Sequence, residues 1–117
     1  MFTNYFPRQI FVVSRPKLTG LPHVGLLLPD DTVMHCTPER GTHRSSEDEF
    51  AQGFDVKIGR EIPPELYETV MQRVYWIERN PQPYNLLGLN CYDFVNWLTA
   101  KPQPERVGRP LWSSLAD

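Results

Sequence analysis

Two prolines and a glycine restrict where the last helix of this chain can begin. Pro81 and Pro83 prevent a helix immediately upstream, and Gly88 favours a turn. The first helical turn is therefore predicted to open at Cys91, with Asn90 as its N-cap. In that turn, unpaired N–H groups and the positive end of the helix dipole favour a thiolate over a thiol. Cys91 is therefore a candidate nucleophile.

The same helix also fits a purely structural role. Its apolar residues recur at the spacing of one helical stripe, which consists of Cys91, Phe94, Val95 and Leu98. Free cysteine is also among the residue types that are most often buried. The spacing alone therefore leaves core packing and a reactive thiol both open.

Length and charge restrict the class of protein. A chain of 117 residues is predicted to form a single domain over residues 1–117, large enough for a core without metal or disulfide staples. The net charge of −2 and the lack of a basic cluster give no case for a nucleic-acid partner.

Location and redox state follow from similar features. No secretory signal is visible at the N-terminus and no apolar run approaches the ~20 residues of a membrane span. A cytoplasmic protein with no integral membrane association is expected, with Cys36 and Cys91 both reduced. Specialised export and the oligomeric state stay open.

Three stretches near the N-terminus are predicted to be strands. Residues 9–15 are β-branched and aromatic, and similar apolar runs occupy residues 23–28 and 32–36. Pro29, Asp30 and Asp31 separate the last two runs, which predicts a hairpin.

The rest of the chain favours an α+β plan. Residues 37–53 are predicted to be a long polar loop bordering a binding site, and residues 54–60 a fourth strand with one wet face. A helix is predicted from Pro63-Pro64 to about Asn80, with an apolar stripe of Leu66, Val70, Val74 and Ile77. Trp112 and Leu115 are expected to hold the proline-rich tail to the body. We expect a small antiparallel sheet with helices packed on one side.

A catalytic cysteine needs a base for its proton and a third group that orients the base. The chain has three histidines. His23 opens a predicted strand two residues before Gly25, a residue type that often marks a close approach within a strand. His35 lies in the neighbouring strand, whereas His43 lies in the polar loop and is expected to be solvated. His23 and His35 are the candidate pair.

The length of the hairpin loop decides whether these two histidines share a face of the sheet. If only Asp30 and Asp31 form the loop, His35 lies opposite Leu26 and faces away from His23. A three-residue loop from Pro29 to Asp31 instead makes His23 and His35 diagonal neighbours on one face. The catalytic hypothesis requires the three-residue loop or an equivalent bulge.

Zinc is the alternative use of the same residue types. The possible ligands are His23, His35, Cys36 and Cys91. Strand alternation directs Cys36 away from His35, and the chain has no CxxC or HxxxH pair. No metal and no cofactor are therefore expected.

Several motifs together resemble a known family. The Tyr-x6-Cys segment from Tyr84 and the signature Asn90-Cys91-x-x-Phe94-Val95 are similar to those of the lecithin:retinol acyltransferase-like proteins. The segments His23-Val24-Gly25 and Val33-Met34-His35 resemble their upstream His-x-Gly strand and second histidine. That family belongs with the NlpC-type peptidases of the permuted papain-like fold, in which histidine precedes cysteine, with the nucleophile at a helix N-terminus.

The resemblance implies a role for each matched residue. Cys91 would be the nucleophile, His23 the general base and acid, and His35 the orienting residue. Tyr84 and Asn90 would line the site or bind the oxyanion. The chain differs from the lipid acyltransferases at Tyr92-Asp93, where they usually carry Glu-His. An apolar anchoring tail like that of many of those proteins is not expected here.

The expected function is a cysteine-dependent hydrolase or acyl transferase that works through an acyl-enzyme. Amide bonds in peptides or peptidoglycan-like fragments are the first expected substrates. Lipid or thioester acyl groups are the alternative, and a catalytically silent binding domain with the same fold is a third possibility.

Overall fold

The computed structural model describes residues 9–102. This part of the chain is an α+β domain with a five-stranded antiparallel sheet in the order β4-β3-β2-β1-β5. The strands are β1 Phe11–Arg15, β2 His23–Leu27, β3 Thr32–Thr37, β4 Gly41–Ser46 and β5 Lys57–Glu61. The helices are α1 Glu47–Ala51, α2 Tyr67–Arg79 and α3 Cys91–Thr99, and a 3-10 turn at Pro64–Leu66 precedes α2.

The two faces of the sheet are covered differently. The larger core joins the sheet to α2 and α3, and its buried members include Leu26, Met34, Val74, Phe94 and Leu98. On the opposite face, Phe50 of α1 packs against Val13 and Val33. The prediction that the helices pack on one side is therefore wrong for α1, whose single buried side chain, Phe50, closes the second face.

The hairpin between β2 and β3 has the three-residue loop that the catalytic hypothesis requires. Leu26 pairs with Met34 and Leu27 with Val33, and the Leu28 N–H donates to Thr32 O at 2.8 Å. Asp31 adopts a φ of 68°, in the left-handed region that such loops use. This register confirms the three-residue alternative.

The prediction of a long loop over residues 37–53 is wrong, because this segment contains β4 and α1. β4 pairs with β3 over six residues but has no large apolar side chain, so the sequence shows no strand period. Backbone pairing and buried hydroxyl groups hold the strand instead. α1 begins with a capping box between Ser46 and Glu49.

Two other elements differ in detail from their predictions. β5 begins at Lys57 rather than at residue 54, and all five of its residues are exposed, whereas a strand with only one wet face was predicted. The helix predicted from Pro64 to about Asn80 opens as a 3-10 turn and continues as α2 to Arg79. Val70, Val74 and Ile77 of its predicted stripe are buried.

The predicted docking of Trp112 and Leu115 lies outside the described residues. Between residues 9 and 102, no helix is long and apolar enough to cross a membrane.

Candidate active site

The start of α3 is formed as the sequence predicts. The Asn90 side chain accepts a hydrogen bond from the Asp93 N–H at 2.9 Å, and the Asn90 N–H donates to Asp93 Oδ2 at 3.3 Å. This capping box makes Cys91 the first residue of the helix. The Cys91 N–H hydrogen-bonds no other described residue and is available to an acceptor.

The segment before α3 is held against the edge of the sheet. The Thr42 N–H of β4 donates to Gln82 O, and the Gln82 N–H donates to Thr42 Oγ1, both at 2.9 Å. Asn85 and Leu89 then close a tight loop through two backbone hydrogen bonds. These contacts fix Tyr84 between two anchored points, close to the beginning of α3.

His23 and His35 lie together on the α1 side of the sheet. His23 Nε2 is 2.8 Å from His35 Nδ1, and both residues are buried. Gly25 lies on β2, two residues after His23, and faces Phe50 and Val33. A Cβ atom at Gly25 would come within 2.8 Å of Phe50 and 2.6 Å of Val33. The absence of a side chain at Gly25 allows Phe50 to close over the histidine pair.

A chain of hydrogen bonds couples the proton positions of the pair to the orientation of the Ser45 hydroxyl. When Ser45 Oγ donates to Ser46 O, 3.1 Å away, it accepts from His35 Nε2, which lies at 2.9 Å. His35 is then protonated on Nε2 and accepts on Nδ1. His23 must therefore donate from Nε2, and its Nδ1 is left with a free lone pair.

His43 belongs to the same cluster, and the prediction that it is solvated is wrong. It pairs with His35 across β3 and β4, and the two ring centroids are 4.3 Å apart. The side chain is half-buried, and its Nδ1–H donates to Gly41 O at 2.8 Å. His43 was predicted to be solvated because β4, the strand that carries it, was predicted to be part of a loop.

The surroundings keep the histidine pair neutral. The pKa of His23 is lowered to about 4. Burial is the largest cause, and the charge of Arg15 is the second. Burial likewise lowers the pKa of His35 to about 3, with added repulsion from His43 and His23. At neutral pH, His23 is an uncharged proton acceptor.

A cavity of about 390 Å³ includes both Cys91 and His23 in its lining, and within residues 9–102 no hydrogen bond joins the Cys91 thiol to His23. Tyr84, Arg15 and Cys36 also line it. Burial raises the pKa of the Cys36 thiol to about 12, so Cys36 stays protonated where an ordinary thiol would ionise. His35 lies behind His23 and Asn90 is engaged in the helix cap, so neither is part of the lining.

Tyr92 joins α3 to the strand that carries His23. Its hydroxyl donates to Pro22 O at 2.6 Å, one residue before the beginning of β2. The bond links the turn that carries Cys91 to the backbone that carries the histidine.

Arg15, Ser45 and Tyr92 are residues of the site that the sequence patterns do not predict. Arg15 ends a strand, where a charged residue usually faces water, and its pairing with His23 follows only from the β1–β2 register. Ser45 could have been found from the Pro38 to Gly41 stretch, which is a hairpin signal after β3.

No group of three or more His, Cys, Asp or Glu residues that could hold a metal occurs within residues 9–102. No protein-family model matches this chain, and neither a curated protein nor a solved structure matches it.

Proposed function

We propose that this chain is a cysteine-dependent hydrolase or acyl transferase with a permuted papain-like fold, acting through an acyl-enzyme on Cys91. The observation that carries the proposal is the hydrogen-bonded chain from Ser45 through His35 to His23. With Ser45 donating to Ser46 O, this hydrogen-bonded chain leaves the lone pair of His23 Nδ1 available, in a residue that lines the same cavity as Cys91. Acyl transfer by a thiol requires an activated thiol, a general base and a group that orients the base.

In the proposed reaction, His23 Nδ1 takes the proton of the Cys91 thiol as Sγ attacks the substrate carbonyl carbon. The new C–S bond gives a tetrahedral oxyanion, and His23 then donates the proton to the leaving group as the scissile bond breaks. Water or another acceptor, activated by His23, attacks the thioester and releases Cys91. His35 stabilises the intermediate imidazolium by accepting from His23 Nε2.

The oxyanion needs hydrogen-bond donors at the helix start. The Cys91 N–H is the first candidate, since it makes no bond to another described residue. The Tyr84 hydroxyl is a second candidate, because Tyr84 lines the cavity. A donor of this kind contributes ~3 kcal/mol of transition-state stabilisation in comparable enzymes.

Amide bonds in peptides or peptidoglycan-like fragments are our first choice of substrate. Four exposed leucines favour a second candidate, the transfer of lipid or thioester acyl groups. Leu18 and Leu21 lie on the loop before β2, and Leu86 and Leu87 lie on the loop before α3. Leu18 also lines the cavity, where an acyl chain could contact it.

Iodoacetamide labelling at neutral pH tests the proposal against a silent binding domain. We expect Cys91 to label faster at neutral pH than a model thiol such as N-acetylcysteine amide, and His23→Ala to slow the labelling. Labelling at the rate of the model thiol that His23→Ala does not change would contradict the proposal. Cys91→Ser is the blank, and Cys36 contributes little because its pKa lies near about 12.

A further inference from the structure

Arg15 lies in the cavity but has no part in the reaction proposed above. It ends β1 directly opposite His23, so the two side chains project from the same face of the sheet. Only 8% of the residue is exposed, although it lines the same cavity as Cys91. A guanidinium is almost always charged, so it places a buried positive charge beside the thiol.

The contacts of Arg15 do not neutralise this charge. Nε donates to Phe50 O at 2.6 Å and Nη1 donates to Pro16 O at 3.1 Å, and both acceptors are neutral carbonyl groups. Within residues 9–102, no carboxylate forms an ion pair with Arg15, and Nη2 makes no hydrogen bond. Buried charges are usually paired, because an unpaired one has a large desolvation cost.

The cavity lining adds a second cation. Lys17 is exposed at the cavity, and Glu39 is the acidic residue among the described lining residues. His23 is neutral at physiological pH, because its pKa is lowered to about 4. The lining therefore carries an excess of positive charge, and the Nη2 group of Arg15 is available to an acceptor.

We propose that the cavity selects acyl substrates that carry a carboxylate, which Arg15 binds while Cys91 attacks the carbonyl. The planar guanidinium can present two parallel N–H groups to a carboxylate, and such charge-assisted pairs are strong where water is excluded. Lys17 assists from the cavity rim. The inference rests on the proposed function for its reaction, whereas the anion site itself can be tested without catalysis.

Two alkylating reagents of similar size test the anion site. Both iodoacetate and iodoacetamide alkylate a thiolate: an S–C bond forms and iodide leaves. Iodoacetate carries a carboxylate where iodoacetamide carries a neutral amide. We expect the rate ratio of iodoacetate to iodoacetamide at Cys91 to be about tenfold higher than the ratio for N-acetylcysteine amide. Peptide mapping assigns the adduct to Cys91 rather than Cys36.

Substitutions then assign the effect to one residue. Arg15→Gln should return the ratio to that of the model thiol, and Arg15→Lys should give an intermediate value, because it keeps the charge without the planar fork. Arg60→Gln is the matched control, since Arg60 is exposed and is not part of the cavity lining. If Arg15→Gln does not fold, the wild-type ratio decides, and a value at or below that of the model thiol overturns the inference.

A matched substrate pair separates this inference from the proposed function. N-acetyl-glutamyl and N-acetyl-glutaminyl p-nitroanilides differ only in the carboxylate. Faster acylation of Cys91 by the glutamyl compound, lost in Arg15→Gln, supports both proposals. Equal acylation by the two compounds overturns the inference alone. A raised alkylation ratio without acylation by any activated amide or ester supports the anion site and contradicts the proposed function.

Discussion

His35 Nε2 lies 2.9 Å from Ser45 Oγ, and His35 is the donor in this contact when the Ser45 hydroxyl donates to Ser46 O. This contact links the position of the Ser45 proton to the positions of the ring protons of His35 and His23. We expect nitrogen NMR at pH 7 to show His23 and His35 protonated on Nε2 and His43 on Nδ1. A His23 ring protonated on Nδ1 would contradict the assignment and remove the proposed proton acceptor.

Ser45→Ala tests the same relationship through stability. The substitution leaves the buried Nε2–H of His35 without an acceptor, which we expect to lower the free energy of unfolding by about 1–3 kcal/mol. Urea denaturation measures the change. Ser14→Ala is the control, since its hydroxyl makes none of the hydrogen bonds of the cluster, and a similar loss in both variants would count against the chain of bonds.

The buried histidines make stability depend on pH. Their folded-state pKa values, about 4 for His23 and about 3 for His35, lie below the unfolded value of ~6.5. The unfolded chain therefore binds more protons below that pH, and stability falls as the pH falls. Between pH 7 and pH 5 we expect a loss of about 2 kcal/mol for each histidine.

Urea denaturation at pH 7 and pH 5 measures this loss. His35→Gln removes one titrating group from a cluster that also contains His23 and His43, so the decrease should become smaller. A wild-type protein that is equally stable at both pH values would show that the pair is not held in its neutral form.

The bond from Tyr92 to Pro22 predicts a positioning role for Tyr92. Tyr92→Phe removes only the hydroxyl, and we expect a stability loss of about 1 kcal/mol together with slower labelling of Cys91 by iodoacetamide. Tyr75→Phe on the exposed face of α2 is the matched control. If labelling keeps its wild-type rate while stability falls, the hydroxyl group holds the fold but not the site.

Gly25 is predicted to tolerate no side chain. Gly25→Ala introduces a methyl group into the space taken by Val33 and Phe50, and we expect a destabilisation of about 1–3 kcal/mol. Gly88→Ala is the control, because nothing described lies closer than 3.9 Å to a Cβ atom there. Equal thermal midpoints for the two variants would contradict the close approach of Phe50.

The parts of the fold that the sequence predicts are those with a strong local signal. Pro81, Pro83 and Gly88 restrict where α3 can begin. Because side chains alternate along a strand, the length of the loop between β2 and β3 decides on which face of the sheet His35 lies. Apolar alternation failed for β4, whose pairing rests on backbone bonds and hydroxyl groups, and consequently Ser45 and the position of His43 were missed. Arg15 was missed because its partner is set by the register between two strands that a long loop separates.

Mass spectrometry of the intact protein after incubation with activated amides and esters tests the central claim most directly. The account predicts an adduct of one acyl group, mapped to Cys91, that is absent in Cys91→Ser and forms more slowly in His23→Ala. Cys36→Ser should retain the adduct, since the high pKa of Cys36 makes it a poor nucleophile. An unmodified protein across the whole panel, or an adduct that forms equally fast without His23, would contradict the account.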